Sequence, residues 1–120
     1  MSTTIQPIIA TADLDRLLGF YTDVLGAVES TRVPDDGPTF FVGLTVGEAD
    51  LGLVVNAEVD TGARQRIVLS VGVDSVDDLL PRVEPAGGRV LGPPNDMPWG
   101  QRVAHIQDPD GNPLNLTQPT

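Results

Sequence analysis

The sequence predicts an α+β fold built from two copies of a βαβββ unit. Residues 5–56 run through a strand, a helix and then further strands, and residues 65–118 repeat that order. Neither half is long enough to bury a core by itself, so the two related halves are expected to pack on each other. Hydrophobic residues make up 40% of the 120, which suffices for a folded core and argues against disorder.

The first helix has clear signals at both ends. Asp13 is a good N-cap, and Gly26 is a residue type at which helices commonly end. The apolar residues between them recur at the spacing of one helical face: Leu14, Leu17, Leu18, Tyr21, Val24 and Leu25. The pattern therefore predicts a helix from Leu14 to Leu25.

The other elements of the first half are predicted strands. The β-rich stretch from Ile5 to Thr11 contains Pro7, which favours an edge or irregular strand. Turn-forming residues follow at Pro34 to Pro38, and a short hairpin loop is expected at Gly47 to Asp50. The strands that these segments separate are predicted at Ala27 to Val33, Thr39 to Val46 and Leu51 to Val55.

The second half repeats this order with a shorter helix. A strand is predicted from Ile67 to Val73, and Asp74 and Ser75 offer N-caps for the next helix. Pro81 lies inside that helix, so the helix is expected to be short or distorted. Its apolar side consists of Val76, Leu79, Leu80 and Val83. The closing strands are predicted at Arg89 to Leu91, Gln101 to Gln107 and Leu114 to Thr117, with loops between them.

These elements divide the chain into a first module at residues 1–58, a linker at 59–64 and a second module at 65–120. The linker is polar and carries Gly62. The two modules are expected to form one compact structural domain.

Composition excludes several classes of chemistry. The chain has no cysteine, which rules out disulfides, thiolate nucleophiles and zinc–cysteine sites. It has no lysine, which rules out Schiff-base catalysis. A net charge of −10 argues against nucleic acid as a partner, because phosphate neutralisation needs a basic face. No apolar run approaches the ~20 residues that span a bilayer, and no secretory signal is evident, so the cytoplasm is the expected location.

Two sequence motifs resemble signatures of one known family. Asp13-Leu14-Asp15-Arg16 with Phe20-Tyr21-Thr22-Asp23-Val24-Leu25-Gly26 is similar to the opening signature of the vicinal oxygen chelate superfamily. Pro98-Trp99-Gly100-Gln101-Arg102 with Asp108-Pro109-Asp110-Gly111-Asn112 is similar to its closing signature. That superfamily includes glyoxalase I, extradiol dioxygenases and bleomycin-resistance proteins. The resemblance implies two βαβββ modules with curled half-barrel sheets, paired into a homodimer whose grooves bind small molecules.

The resemblance also implies four metal-ligand positions, typically held by His, Glu or Gln, His and Glu. In this chain they fall at Gln6, about Gly52, Arg66 and Asn115. Glycine offers no side chain, arginine is a permanent cation, and the two amides are neutral, weak ligands. The expectation is therefore no catalytic metal and no other cofactor.

Several residues are candidates for ligand binding. Trp99 could stack on a flat ring, or it could be a packing residue at the edge of the core. Phe40 and Phe41 are neighbours on a strand, so one of them is expected to face the cavity. Arg66 could hold an anionic or carbonyl group, or it could form an internal salt bridge. The remaining candidates are Met97, Gln6 and Asn115, together with Asp96 as a partner for a cationic group. The single His105 is expected to be structural.

These features favour a dimeric, non-catalytic binding protein rather than an enzyme. Its expected function is antibiotic sequestration, with a flat, partly cationic drug held in a groove between two copies. The alternative is a metal-independent enzyme related to glyoxalases and dioxygenases, acting as an isomerase, lyase or cyclase on a small organic substrate. A third reading is a regulatory module with a vestigial cavity.

Overall fold

Two compact units make up the chain, Met1–Val59 and Asp60–Thr120. The computed structural model describes residues 5–34, 36–63 and 65–120. Each unit contains one helix and one curled, unclosed sheet, which confirms the predicted α+β fold of βαβββ type. Asp35 in the predicted turn, Arg64 at the end of the predicted linker and the first four residues of the first module lie outside the described residues.

The first unit holds a four-stranded sheet in the order β1-β4-β3-β2. β1 runs parallel to β4, and the other pairs are antiparallel. Its elements are β1 (Ile8–Thr11), α1 (Leu14–Leu25), β2 (Val28–Val33), β3 (Phe41–Val46) and β4 (Ala49–Val55).

Helix α1 begins and ends where its sequence signals place it. The Asp13 side chain accepts a hydrogen bond from the backbone N–H of Arg16, and Gly26 closes the helix with a left-handed φ of 68°. One face of the helix is fully buried, and alternate residues of β3 and β4 are buried in the same unit. These core side chains are Leu17, Phe20, Tyr21, Val24, Val42, Leu44, Leu51 and Leu53.

The opposite side of each sheet, away from the helix of its own unit, is called its open face here. On the open face of the first unit, Gly43 and Gly52 are cross-strand partners. The aromatic ring of Phe41 lies against both of them, since a Cβ built at Gly52 would stand 2.9 Å from Phe41 Cε1 and 3.1 Å from Ile8 Cγ1. Because neither glycine has a side chain, the Phe41 ring can pack against the two strands at this pair.

The second unit repeats the topology, with sheet order β5-β9-β8-β6 and β7 paired to β8 beside β6. β6 and β7 are both antiparallel to β8 and together hold the edge position that β2 holds in the first unit. The break between them falls at Gly92-Pro93-Pro94. The elements are β5 (Leu69–Gly72), α2 (Val76–Val83), β6 (Arg89–Val90), β7 (Asn95–Met97), β8 (Gln101–Gln107) and β9 (Pro113–Pro119).

Helix α2 has eight residues, in agreement with the short helix that Pro81 predicts. The Ser75 hydroxyl caps it by accepting a hydrogen bond from the backbone N–H of Asp78. Val76 and Val83, one at each end, are completely buried. On the helix side of this sheet, Ala104, Ile106, Leu114 and Leu116 are completely buried and alternate along β8 and β9. Val103 and Thr117, on the open face, are buried as well. No helix in the described part of the chain is long and apolar enough to cross a membrane.

The predicted strand limits were wrong in three respects: where several strands begin or end, how long the first hairpin loop is, and the conformation of residues 95–97. Regular pairing in the two parallel edge strands begins at Ile8 and Leu69, later than predicted; Pro7 accepts a hydrogen bond from Gly52 but has no N–H to donate. The hairpin loop of the first unit has two residues instead of four, because Val46 pairs with Ala49. Gly47 supplies the positive φ, 59°, that a type II′ turn needs at its first central position.

The third error concerns β7. Asp96 and Met97, predicted in a loop, lie on a strand whose three residues all pair with β8. Asn and Asp are weak strand formers, so the local sequence gives no strand signal here. Pairing with β8 imposes the extended conformation.

The close contact between the Phe41 ring and Gly52 gives a stability prediction. Gly52→Ala should lower the free energy of unfolding by about 1–2 kcal/mol, because the added methyl group overpacks the site. Urea denaturation measures this change. Gly19→Ala is the matched control: nothing lies within 4 Å of a Cβ at this helical position, so we expect a gain of about 0.5–1 kcal/mol. In a Phe41→Leu background the cost of Gly52→Ala should shrink; equal stability of Gly52→Ala and the parent would contradict the prediction.

Candidate functional site

The open face of the second unit brings together polar and apolar side chains from four strands. Register places His105 of β8 opposite Asn115 of β9, and Asn115 opposite Ser70 of β5. Two residues before His105 on β8, Val103 pairs with both Thr117 and Asn95. Alternation keeps these side chains off the face that packs on α2.

His105 and Asn115 form a direct hydrogen bond. His105 Nδ1 lies 2.7 Å from Asn115 Oδ1. The imidazole is exposed and the amide is half-buried. Since the amide oxygen only accepts, the Nδ1 atom carries the hydrogen, and a neutral imidazole then presents Nε2 as an acceptor. His105, expected to be merely structural, thus touches one of the four residues that the resemblance singles out.

Trp99 lies at the tip of the β7–β8 hairpin, in the turn Pro98-Trp99-Gly100. The Gly100 N–H donates to the carbonyl of Met97 at 3.1 Å, and the φ of Gly100 is 93°, which favours glycine. The Trp99 side chain is 67% exposed. Its Nε1–H donates to Gln101 Oε1 at 2.9 Å, so the indole's one polar group is satisfied within the hairpin. The exposed ring remains available for stacking.

Asp96 lies on the other side of the sheet from these groups. It pairs with Arg102, whose Nη1 is 2.9 Å from Asp96 Oδ1 and whose Nε is 2.8 Å from Asp77 Oδ2 on α2. The hydrogen bond from Arg102 holds the pKa of Asp77 below its ordinary value, and the two carboxylates raise the pKa of Arg102. Arg102 therefore ties the Trp99 hairpin to the helix, and the charge of Asp96 is matched within the protein.

The other predicted site residues lie outside this group. In the first unit, Gln6 is exposed ahead of β1, Phe40 is 53% exposed ahead of β3, and Phe41 lies on the open face against the two glycines. In the second unit, Met97 of β7 is cross-strand partner to Gln101, beside Trp99. Arg66 is exposed in the irregular residues 65–68.

The four metal-ligand positions do not fit a divalent cation. The position of Gly52 faces the Phe41 ring, and Asn115 Oδ1 is occupied by His105. Arg66 is an exposed cation and Gln6 an exposed neutral amide. Within residues 5–34, 36–63 and 65–120, no group of three or more His, Asp or Glu could hold a metal ion. These donors lack the carboxylates that normally offset a divalent charge.

Sequence reasoning missed His105 and Gln101 as neighbours of predicted site residues. One signal was available, because both share the odd-numbered face of β8 with Val103. Their partners depend on the register of β8 with β9 and on the side chain of Trp99. Neither can be read from one strand alone.

A sequence model of the Glyoxalase/Bleomycin resistance protein/Dioxygenase superfamily matches residues 4–116. The chain belongs to this superfamily. The match spans both βαβββ units, as the two sequence signatures indicate. It agrees with the topology, in which each sheet has a parallel edge pair and a helix on one face.

Curated members of the superfamily include enzymes. The chain is 30% identical over 122 residues to lactoylglutathione lyase of Haemophilus influenzae, an alignment that covers 95% of this chain and 90% of that protein. It is 29% identical over 115 residues to the protein named “Putative glyoxylase CFP32” in Mycobacterium bovis and Mycobacterium tuberculosis. That alignment covers 92% of this chain but 43% of the mycobacterial proteins, so the chain spans less than half their length.

Solved structures of the superfamily share the fold. TioX from Micromonospora sp. ML1 has a TM-score of 0.77 at 24% identity, covering 98% of this chain and 97% of TioX. The fosfomycin resistance protein FosX from Mesorhizobium loti has a TM-score of 0.77 at 16% identity, covering 100% and 94%. At such identities the likeness concerns the fold alone.

The Arg102 ion pairs give a pH-dependent prediction. Because the folded-state pKa of Asp77 is lowered, its stabilisation is complete above the unfolded value and is lost as pH falls through the folded value. Asp77→Asn should therefore be less stable than the parent at about pH 7, and the difference should shrink at about pH 2–3. Urea denaturation at both pH values measures it.

Asp78→Asn, one residue along the same helical turn, is the matched control because Arg102 bonds to Asp77 and Asp96. It should change stability less at neutral pH. If Asp77→Asn behaves like Asp78→Asn at both pH values, the ion pair contributes nothing to stability.

Proposed function

We propose that this protein binds a small organic molecule without transforming it, and that it sequesters an antibiotic. One observation carries the proposal: the second unit combines an exposed indole at Trp99 with the hydrogen-bonded pair His105 and Asn115 on its open face. A flat ring gains dispersion and burial against an indole, and neutral polar groups orient it without a large desolvation cost. This chemistry suits retention of a ligand.

The distribution of charge supports binding over catalysis. General acid–base catalysis needs a group held beside the substrate with a partner that tunes it. Here His105 has a neutral partner, whereas the carboxylate of Asp96 is paired with Arg102 on the helix side. The net charge of −10 favours approach of a partly cationic molecule by long-range attraction.

The names of relatives are consistent with an antibiotic as the ligand. FosX is named a fosfomycin resistance protein, and the superfamily's own name includes bleomycin resistance. We extend drug resistance to this chain as a proposal. The remaining candidate residues, Phe40, Phe41, Met97, Arg66 and Gln6, are proposed as further contacts, and Asp96 as a positioning residue through Arg102.

A metal-independent lyase or isomerase is the second candidate function. The observation that favours it is the 30% identity to a lactoylglutathione lyase over nearly the whole chain. In that case the Nε2 atom of His105 would be the base, because it is the acceptor that faces outward. Recovery of a bound compound chemically unchanged separates sequestration from turnover.

We also propose that the working protein is a homodimer. Large apolar side chains are substantially exposed in both units, which soluble monomers usually avoid as contiguous patches. The exposed apolar side chains, with their exposed fractions, include Ile8 at 57%, Val28 at 64%, Phe40 at 53%, Ile67 at 77%, Val68 at 50% and Trp99 at 67%. A second copy would cover part of this surface.

Trp99 provides the test of binding. It is the single tryptophan, so its emission reports directly on a stacked ligand. Titration with a panel of flat, partly cationic antibiotics should change that emission. Trp99→Ala should weaken binding by about 1–3 kcal/mol, the sum of lost stacking and buried area, with the fold intact.

Trp99→Phe is the matched control, because it keeps a flat ring and should retain most of the affinity. Chromatography after long incubation should return the drug unaltered. Tight binding with unchanged emission and undiminished affinity in Trp99→Ala would make Trp99 a packing residue. Conversion of the drug would favour the enzyme.

Sedimentation equilibrium tests the dimer. At micromolar concentration the measured mass should be twice the chain mass of 12.7 kDa. Trp99→Ala serves as a control for aggregation through the exposed indole. A single species of one chain mass would exclude a groove shared between copies.

A further inference from the structure

The His105–Asn115 pair presents a specific hydrogen-bonding pattern on the open face of the second unit. It belongs to a polar row that crosses three strands, Ser70, Asn115 and His105. Among the described residues, neither His105 Nε2 nor Asn115 Nδ2 hydrogen-bonds to another protein group. Both atoms are therefore available to a ligand.

These two atoms have opposite roles. With Nδ1–H donating to Asn115 Oδ1, His105 Nε2 is an acceptor and the Asn115 amide nitrogen is a donor. If the amide were reversed, Nδ2 would donate to Nδ1, Nε2 would carry the hydrogen, and Oδ1 would be the free acceptor. With an uncharged imidazole, either arrangement offers one donor and one acceptor.

We propose that His105 and Asn115 form a subsite for an uncharged carboxamide-type group, one that itself carries a donor next to an acceptor. The inference rests on the proposed function, since it names the chemistry that the same face reads in its ligand. A primary amide or a lactam edge carries an acceptor for the protein's donor and a donor for its acceptor.

Charged groups satisfy the pair poorly. A carboxylate has only acceptors, so it would set an oxygen against the lone pair of one protein atom. An ammonium group has only donors and would face the N–H of the other. Each mismatch leaves a polar group without a partner after its water is removed, and this costs more than a hydrogen bond gains.

The position of the subsite also limits the ligand's length. His105 is four residues from Gln101, which holds the indole of Trp99. Strand geometry separates those backbone positions by about 13 Å. A ligand that uses both contacts is extended, with an amide near one end and a flat ring near the other.

Three small probes of matched size test the subsite: benzamide, acetophenone and benzoate. Benzamide carries a donor and an acceptor, acetophenone an acceptor only, and benzoate a charge. NMR titration of the Asn115 side-chain amide and the His105 imidazole nitrogens gives the affinity at this site. Benzamide should bind about fivefold more tightly than acetophenone, the factor for one net hydrogen bond, and benzoate more weakly than benzamide.

Substitutions identify the atoms responsible. Asn115→Leu and His105→Leu should each abolish the preference for benzamide over acetophenone. Asn56→Leu, the same change at an exposed position of the first unit, should keep it. Equal affinity for benzamide and acetophenone in the parent protein overturns the proposal without any variant, and so does a preference that survives Asn115→Leu.

The outcome is separable from that of the proposed function. These probes are too short to reach Trp99 from His105, so their binding is independent of the indole. A benzamide preference without any antibiotic response at Trp99 would support the subsite and contradict sequestration. An antibiotic response without a benzamide preference would support sequestration and contradict the subsite.

Discussion

The register of β8 against its neighbours is the constraint on which the candidate site depends. It places His105 opposite Asn115 and aligns Met97 with Gln101, which bonds to the indole of Trp99. Because side chains alternate along a strand, a shift of one residue would send each of them to the opposite face. The buried residues Ala104 and Ile106, which occupy the helix side, hold the register in place through the cost of exposing them.

The two faces of β8 carry different side chains, with ion pairs on the helix side and polar groups on the open face. Arg102 points to the helix side, where it forms ion pairs with both Asp77 and Asp96. The open side carries an imidazole and an amide. The ion pairs are exposed enough that their contribution to stability is small, so their main effect is to orient the hairpin that carries Trp99. The ion pairs and the proposed ligand contacts thus lie on opposite faces of one strand.

Two of the four positions that the resemblance assigns to metal ligands have other contacts in this chain. At Gly52 the missing side chain makes room for the Phe41 ring, and at Asn115 an amide bonds to His105. Neither position carries a carboxylate. These contacts support the proposed binding of a flat molecule with amide groups.

Sequence alone determined the fold class and helix α1. Asp13, Gly26 and the apolar spacing between them are local signals, and each acts within a few residues of its own position. β7 and the role of His105 were decided by tertiary structure. Asn95 and Asp96 have little strand propensity, and they are extended because β8 pairs with them. His105 became a site residue through Asn115, ten positions away, and only the pairing of β8 with β9 brings those two side chains within 2.7 Å.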